Sequence, residues 1–245
     1  MSSSHPFGEN HGPVRPSTVL PALRTPFTLH TSDGETLIGE VSAPLDRPTS
    51  AILMLHPNPT GGGMMDSHIY KKAANRLPAM AGITVVRFNT RGTSSEQGTS
   101  TGSYDNGNAE KYDVQAAIDY CFEVLHLAEL WIVGWSFGTE IALLHAHDPR
   151  IKGLILLSPP LMKVAESDLQ VWANDGRPIT ALIPEHDDYL KPDQAREKFA
   201  VIPQIELIAV DGAKHLWVGE PYVHRVLSEI TRIVAPERLP LPTEL

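Results

Sequence analysis

Six short apolar runs punctuate the chain: Ala51 to Leu55, Ile83 to Phe88, Leu130 to Val133, Ile151 to Leu157, Ile179 to Ile183 and Ile205 to Val210. Several lack any polar alternation, which is how strands covered on both faces of a parallel sheet read. Between them lie segments with helical spacing. Ala109, Tyr112, Ala116, Ala117, Tyr120, Cys121 and Val124 recur every three or four residues and define one stripe. Ser67 to Leu77 predicts a second helix ended by Pro78, and Pro221 opens a third that runs through Val226 and Ile230 to Val234. Ahead of the first run, Phe27 to His30 and Thr36 to Val41 flank Ser32-Asp33-Gly34, a turn signal for an antiparallel hairpin. Strands alternating with helices predict an α/β fold with helices on both faces of a mainly parallel sheet.

Domain limits follow from where this pattern stops. Residues 1–24 are rich in Ser, Pro, Gly and His without periodicity, and residues 236–245 carry three prolines and no helical pattern. They are expected to be flexible tails on a single domain of residues 25–235.

Composition narrows the function. A net charge of −9 argues against the phosphate-neutralising surface of a nucleic-acid binder. No run reaches the ~18 apolar residues of a membrane span, and Met1 to Pro16 has no apolar core of a secretory signal, so a cytoplasmic location is the expectation. Cys121 is the lone cysteine and falls on an apolar helix position, which reads as core.

Gly134-Trp135-Ser136-Phe137-Gly138 sits between the Leu130 to Val133 strand and a helix candidate at Glu140 to His145. The G-x-S-x-G pattern in a strand-turn-helix frame presents a serine hydroxyl on a sharp turn, with two glycines allowing close approach. Such a serine needs an imidazole to take its proton and a carboxylate to orient that imidazole, each just after a later strand, acid first. The strand ending at Ile183 runs into Pro184-Glu185-His186-Asp187-Asp188, and the strand ending at Val210 runs into a loop carrying His215. Asp187 is the expected acid with Asp188 the alternative, and His215 the expected base. Of the other histidines, His5 and His11 lie in the tail, His145 and His147 late in the nucleophile helix, and His224 in the last helix. His186 beside Asp187 and Asp188 hints at a metal, but no further His or Cys recurs at a ligand spacing, so none is expected.

A tetrahedral intermediate needs two preorganised N–H donors. Phe137, after the nucleophile, is one candidate. The loop His56-Pro57-Asn58-Pro59-Thr60-Gly61-Gly62-Gly63 offers the other: its prolines have no N–H, which leaves Asn58 between them.

Taken together these features resemble the alpha/beta-hydrolase superfamily across nearly all of Pro26 to Val234. His56-Pro57-Asn58-Pro59 with Gly62-Gly63-Met64-Met65-Asp66 resembles a branch of small, mostly lidless hydrolases, as do Arg87-Phe88-Asn89-Thr90-Arg91-Gly92 and Gly107, Glu110 and Asp113. The resemblance implies an eight-stranded sheet with its second strand antiparallel. It also implies a triad of Ser136, His215 and an acid at Asp187, with Asn58 and Phe137 as oxyanion donors. Pro184 stands where relatives usually carry Gly, which leaves the register of the acid open. Arg91 and Gly92 read as structural.

The expected activity is hydrolysis of a small or medium ester through an acyl-enzyme, without a cofactor, on a small-molecule substrate. An acyltransferase with the same triad and a catalytically silent binding protein are the alternatives. Ser158 to Pro178, where lids are inserted in this superfamily, is too short for a large cap; Leu161, Met162, Val171 and Trp172 either line a cleft or pack a short helix. Substrate-binding residues and oligomeric state are not legible.

Overall fold

The apolar runs become strands buried on both faces. A computed structural model describes residues 12–46, 48 and 50–244. Its strands are β1 (Leu23–His30), β2 (Thr36–Ala43), β3 (Ser50–Leu55), β4 (Ile83–Phe88), β5 (Ser94–Ser95), β6 (Gly98–Thr99), β7 (Trp131–Trp135), β8 (Gly153–Leu157), β9 (Ile179–His186) and β10 (Ile205–Lys214). β5 and β6 form a small separate ribbon. The other eight make one sheet in the order β1-β2-β4-β3-β7-β8-β9-β10, parallel except where β2 pairs antiparallel with both β1 and β4.

Helices α1 (His68–Ala81), α2 (Glu110–Asp119), α3 (Phe137–His145), α4 (Glu166–Asp175), α5 (Pro192–Lys198) and α6 (Glu220–Val234) cover the two faces. Successive residues of β3 alternate between the layers: Leu53 and Leu55 pack with Val114, Ile141 and Leu169 of α2, α3 and α4, while Ile52 and Met54 pack with Ile69 of α1 and Val226 of α6. Each of these fully buried side chains contributes roughly 1.5–3 kcal/mol of transfer free energy, which is why the polar alternation of an exposed sheet is missing.

Two helices depart from the expected pattern for identifiable reasons. α1 does not end before Pro78 but carries it inside and stops at Gly82. Proline cannot donate to the carbonyl of Ala74, and the guanidinium of Arg24 donates to that carbonyl instead, at 3.3 Å. The expected stripe is not the buried face of α2, where Val114 and Ile118 are buried beside Ala117 while Ala109, Tyr112 and Ala116 are half-buried, and after Asp119 the helix gives way to a π-type turn over Tyr120–Val124. The Leu125 amide donates to the Tyr120 carbonyl five residues back, and the extra residue rotates Val124 outward, where it is 59% exposed.

Packing extends beyond residues 25–235 at both ends. Arg15 gives its carbonyl to buried Arg76, Leu20 donates to the Asn75 carbonyl, and Val14 donates to that of Thr243. Leu20 and Leu241 are buried. Residues 1–11 of the expected N-terminal tail lie outside the described residues.

Candidate active site

β7 ends in a turn that holds Ser136 at φ 52° and ψ −117°, a conformation that strains an L-residue. Two close approaches make the turn possible. A Cβ on Gly138 would lie 1.8 Å from the Leu55 carbonyl oxygen, and one on Gly134 would lie 2.5 Å from that of Gly138. Ser136 is pinned by its amide, which donates to Leu157 on β8 at 2.9 Å, and by its carbonyl, which accepts the Thr139 amide at 2.8 Å and hydroxyl at 2.7 Å.

β9 and β10 deliver the partners to the same sheet edge. The pairing of these strands shifts register between Val210 and Lys214, and the loop that follows brings His215 back over β7. Its Nε2 lies 2.9 Å from Ser136 Oγ and its Nδ1 2.9 Å from Asp187 Oδ2. Asp187 is buried; its Oδ1 accepts the amides of Tyr189 at 2.8 Å and Leu190 at 3.2 Å. A carboxylate accepts only, so Nδ1 carries the imidazole proton and Nε2 presents a lone pair to the serine hydroxyl. Asp188, the next residue, faces solvent. The Asp187 amide donates to the Pro184 carbonyl at 3.2 Å, and that turn selects which of the two carboxylates points inward.

The loop after β3 is locked from below. His56 is fully buried, and its Nε2 accepts the Thr90 amide at 3.0 Å, so the ring proton is on Nδ1 and is donated to the Pro57 carbonyl at 2.7 Å. Burial holds this imidazole neutral, with its pKa pushed down to about 4. Asn58 Oδ1 caps the turn by accepting the Thr60 amide at 3.0 Å. The amides of Gly61 and Gly63 donate to the Asn58 carbonyl and that of Gly62 to Pro59. All three glycine amides are therefore occupied within the loop, and no protein acceptor for the Asn58 amide is found among the described residues. Phe137, as the first residue of α3, has no carbonyl one turn earlier in the helix to receive its own amide.

A cleft of about 420 Å³ opens above Ser136. Asn58 and the glycine loop form one wall, Trp135 and His68 the floor side, and Tyr189, Leu216 and Val218 an apolar rim beside His215. Its lining includes no Asp, Glu, Lys or Arg, and burial lowers the pKa of His68, favouring the neutral ring. Leu161, Met162, Val171 and Trp172 lie elsewhere. Trp172 is fully buried and donates to the Leu143 carbonyl at 2.8 Å, fastening α4 onto α3. A separate groove of about 500 Å³ lies between α4 and α5, lined by Leu169, Glu197 and Lys198, away from Ser136. His186 is exposed, paired in register with Lys214 and 3.7 Å from the Glu185 carboxylate.

Sequence reasoning gave His56 no role, because its partner Thr90 belongs to the end of a different strand. It also missed the rim, since Leu216 and Val218 follow no periodic pattern; their closeness to His215 in the chain was the available signal. Arg91 is structural, as expected: it bridges Asp33 and Asp113 at 2.7–3.1 Å.

Comparison with known proteins agrees with this architecture. An uncharacterized protein of Rickettsia prowazekii is 32% identical over 147 residues, covering 59% of this chain and 60% of its own length. Thus the chain spans less than two thirds of that curated relative. A serine hydrolase homologue from Coxiella burnetii superposes with a TM-score of 0.72 at 25% identity, over 86% of this chain and 97% of its own. A serine hydrolase without a lid from Xanthomonas campestris gives 0.69 at 25% identity, over 91% and 99%. The sequence profile of the alpha/beta hydrolase fold matches residues 51–177, just over half of the chain, and the protein belongs to that family.

Proposed function

We propose that the protein is a serine hydrolase that cleaves small or medium uncharged esters through an acyl-enzyme on Ser136. The observation that carries the reading is the unbroken hydrogen-bond chain from Ser136 Oγ through His215 to Asp187, with both links at 2.9 Å. A serine hydroxyl becomes a competent nucleophile when its proton has an acceptor in place. His215 Nε2 takes that proton as Oγ attacks the ester carbonyl carbon. Asp187 holds the reactive tautomer and stabilises the imidazolium.

The tetrahedral oxyanion is held by the amides of Asn58 and Phe137. Collapse breaks the bond to the leaving oxygen, which receives the proton from His215 Nε2. Water then repeats the sequence on the acyl-enzyme: His215 takes its proton, the acid is released, and Ser136 regains its hydrogen. The balance closes with ester and water as the only reactants.

Substrate class follows from the walls. A cleft of this volume accommodates a short to medium acyl chain, and its own lining offers a charged chain no ionic partner, the charged side chains Lys214 and Asp188 lining a neighbouring pocket across His215, Leu216 and Val218. α4 is fastened to α3 through Trp172 rather than folded over Ser136, which leaves the cleft open.

A fluorophosphonate probe, followed by peptide mapping, tests the reading. Modification of Ser136, abolished in Ser136→Ala and at least greatly slowed in His215→Ala, is expected. Labelling at a different serine, or none while a control serine hydrolase reacts, contradicts it.

A further inference from the structure

The imidazole of His215 is oriented by Asp187, but its backbone is held by something else. The His215 carbonyl accepts two side-chain hydrogen bonds, from Trp135 Nε1 at 3.2 Å and from Ser158 Oγ at 3.1 Å. All three residues are buried, so each donor is withdrawn from water. Neither donor belongs to the loop that carries the histidine.

The placement of these donors is what gives them a role. Trp135 immediately precedes Ser136, so its indole ties the base to the strand end that carries the nucleophile. Ser158 immediately follows Leu157, whose carbonyl accepts the Ser136 amide. The end of β8 therefore holds the nucleophile through one residue and the base through the next. Two closed circuits result: Ser136 to Trp135 to the His215 backbone and back through Nε2 to Oγ, and the same through Leu157 and Ser158.

Backbone strain marks the second donor. Ser158 sits at φ 50°, one of six non-glycine residues with positive φ among those described, and its amide donates to Leu182 on β9 at 3.0 Å. A buried residue held in the left-handed region at the carboxyl end of a sheet strand, with its hydroxyl spent on the carbonyl of the base, fits a positioning role better than a packing one.

We propose that Trp135 and Ser158 are positioning residues that fix the distance between His215 Nε2 and Ser136 Oγ by clamping the His215 carbonyl. The inference rests on the hydrolase reading above. With one donor removed the carbonyl keeps the other; with both removed a buried acceptor is unsatisfied and the loop shifts to find a partner.

The test compares Ser158→Ala, Trp135→Phe and the double variant in the full chain, with kcat and KM for p-nitrophenyl butyrate, the rate of fluorophosphonate labelling at Ser136, Tm, and the downfield proton resonance of His215 Nδ1–H. Ser158→Ala removes one oxygen from a buried site, so it keeps the test open if the tryptophan variant folds poorly. Each single variant is expected to lose about 3- to 10-fold in kcat, with KM within about twofold in Ser158→Ala, whose side chain does not line the cleft, and the double variant on the order of 10² or more, above the product of the singles. Labelling should slow in step, and the Nδ1–H resonance should broaden or shift.

Kinetics, labelling and proton resonance all unchanged in Ser158→Ala and the double variant, or a lower Tm with kcat intact, overturn the clamp while the hydrolase reading stands. Absence of labelling at Ser136 in the unmodified protein overturns both.

Discussion

Replacing Asn58 with proline removes one N–H from the proposed oxyanion site and little else from the backbone. Asn58 has φ −52° and ψ 118° and caps a short 3-10 turn over Pro59–Gly61, so its backbone lies inside the range the pyrrolidine ring imposes. The side chain has a separate job, capping the turn through the Thr60 amide and hydroxyl, both at 3.0 Å. Losing a cap costs about 1 kcal/mol of stability. Asn58→Ala loses the cap and keeps the amide, so it is the matched control. Relative to Asn58→Ala, Asn58→Pro should reduce kcat by about 10²–10³, equivalent to about 2.7–4 kcal/mol of transition-state stabilisation. KM should change little, because the donor acts on a charge that develops only in the transition state. Steady-state hydrolysis of p-nitrophenyl butyrate by both variants, with Tm measured alongside, is the assay. Equal kcat in the two would refute the assignment of the Asn58 amide.

Three further outcomes follow from other parts of the molecule. Gly138→Ala puts a methyl group 1.8 Å from the Leu55 carbonyl, so β3 and α3 must separate; a loss of about 3 kcal/mol, or roughly 10 °C in Tm, is expected by thermal melting, and an unchanged Tm would refute the close contact. The charge-free cleft predicts that a neutral butyrate ester is hydrolysed with kcat/KM roughly tenfold or more above the matching hemisuccinate; the reverse preference would place a cation in the site. His56 is neutral in the folded state with its pKa at about 4, against 6.5 for the ordinary group. The unfolded chain therefore binds a proton below pH 6.5 that the folded chain refuses. Stability from this group is complete above pH 6.5 and is lost progressively down to about pH 4, about 3 kcal/mol in all. Urea titrations from pH 7 to 4 should give a shallower decline for His56→Gln, and identical slopes would contradict the burial argument.

Much of the fold, and the turn that carries Ser136 in the proposed triad, were legible because the features that specify them are local in sequence. Unbroken apolar runs mark buried strands, and the glycine-flanked serine marks a turn whose sterics allow few alternatives. Asp187 and Asp188 could not be separated, since which one turns inward depends on the Pro184 carbonyl accepting the Asp187 amide and on the register shift of β10. Pro78 was read as a helix end because the residue that accepts its consequence, Arg24, lies 50 residues from Ala74 in sequence. The same non-locality hid the contacts of Arg15 and Leu20 with α1, and the link between His56 and Thr90. The cleft walls were opaque for a different reason: Leu216 and Val218 owe their place to a loop, where no periodicity announces which side chain faces substrate.

Intact-protein and peptide mass spectrometry on acid-quenched samples, taken within the first turnovers of a slowly deacylating ester, addresses acyl transfer itself. The expected result is a transient mass increase equal to the acyl group, confined to the peptide containing Ser136 and absent from Ser136→Ala. Product formation at full rate with no such adduct, or persisting in Ser136→Ala, would contradict a covalent route through this serine.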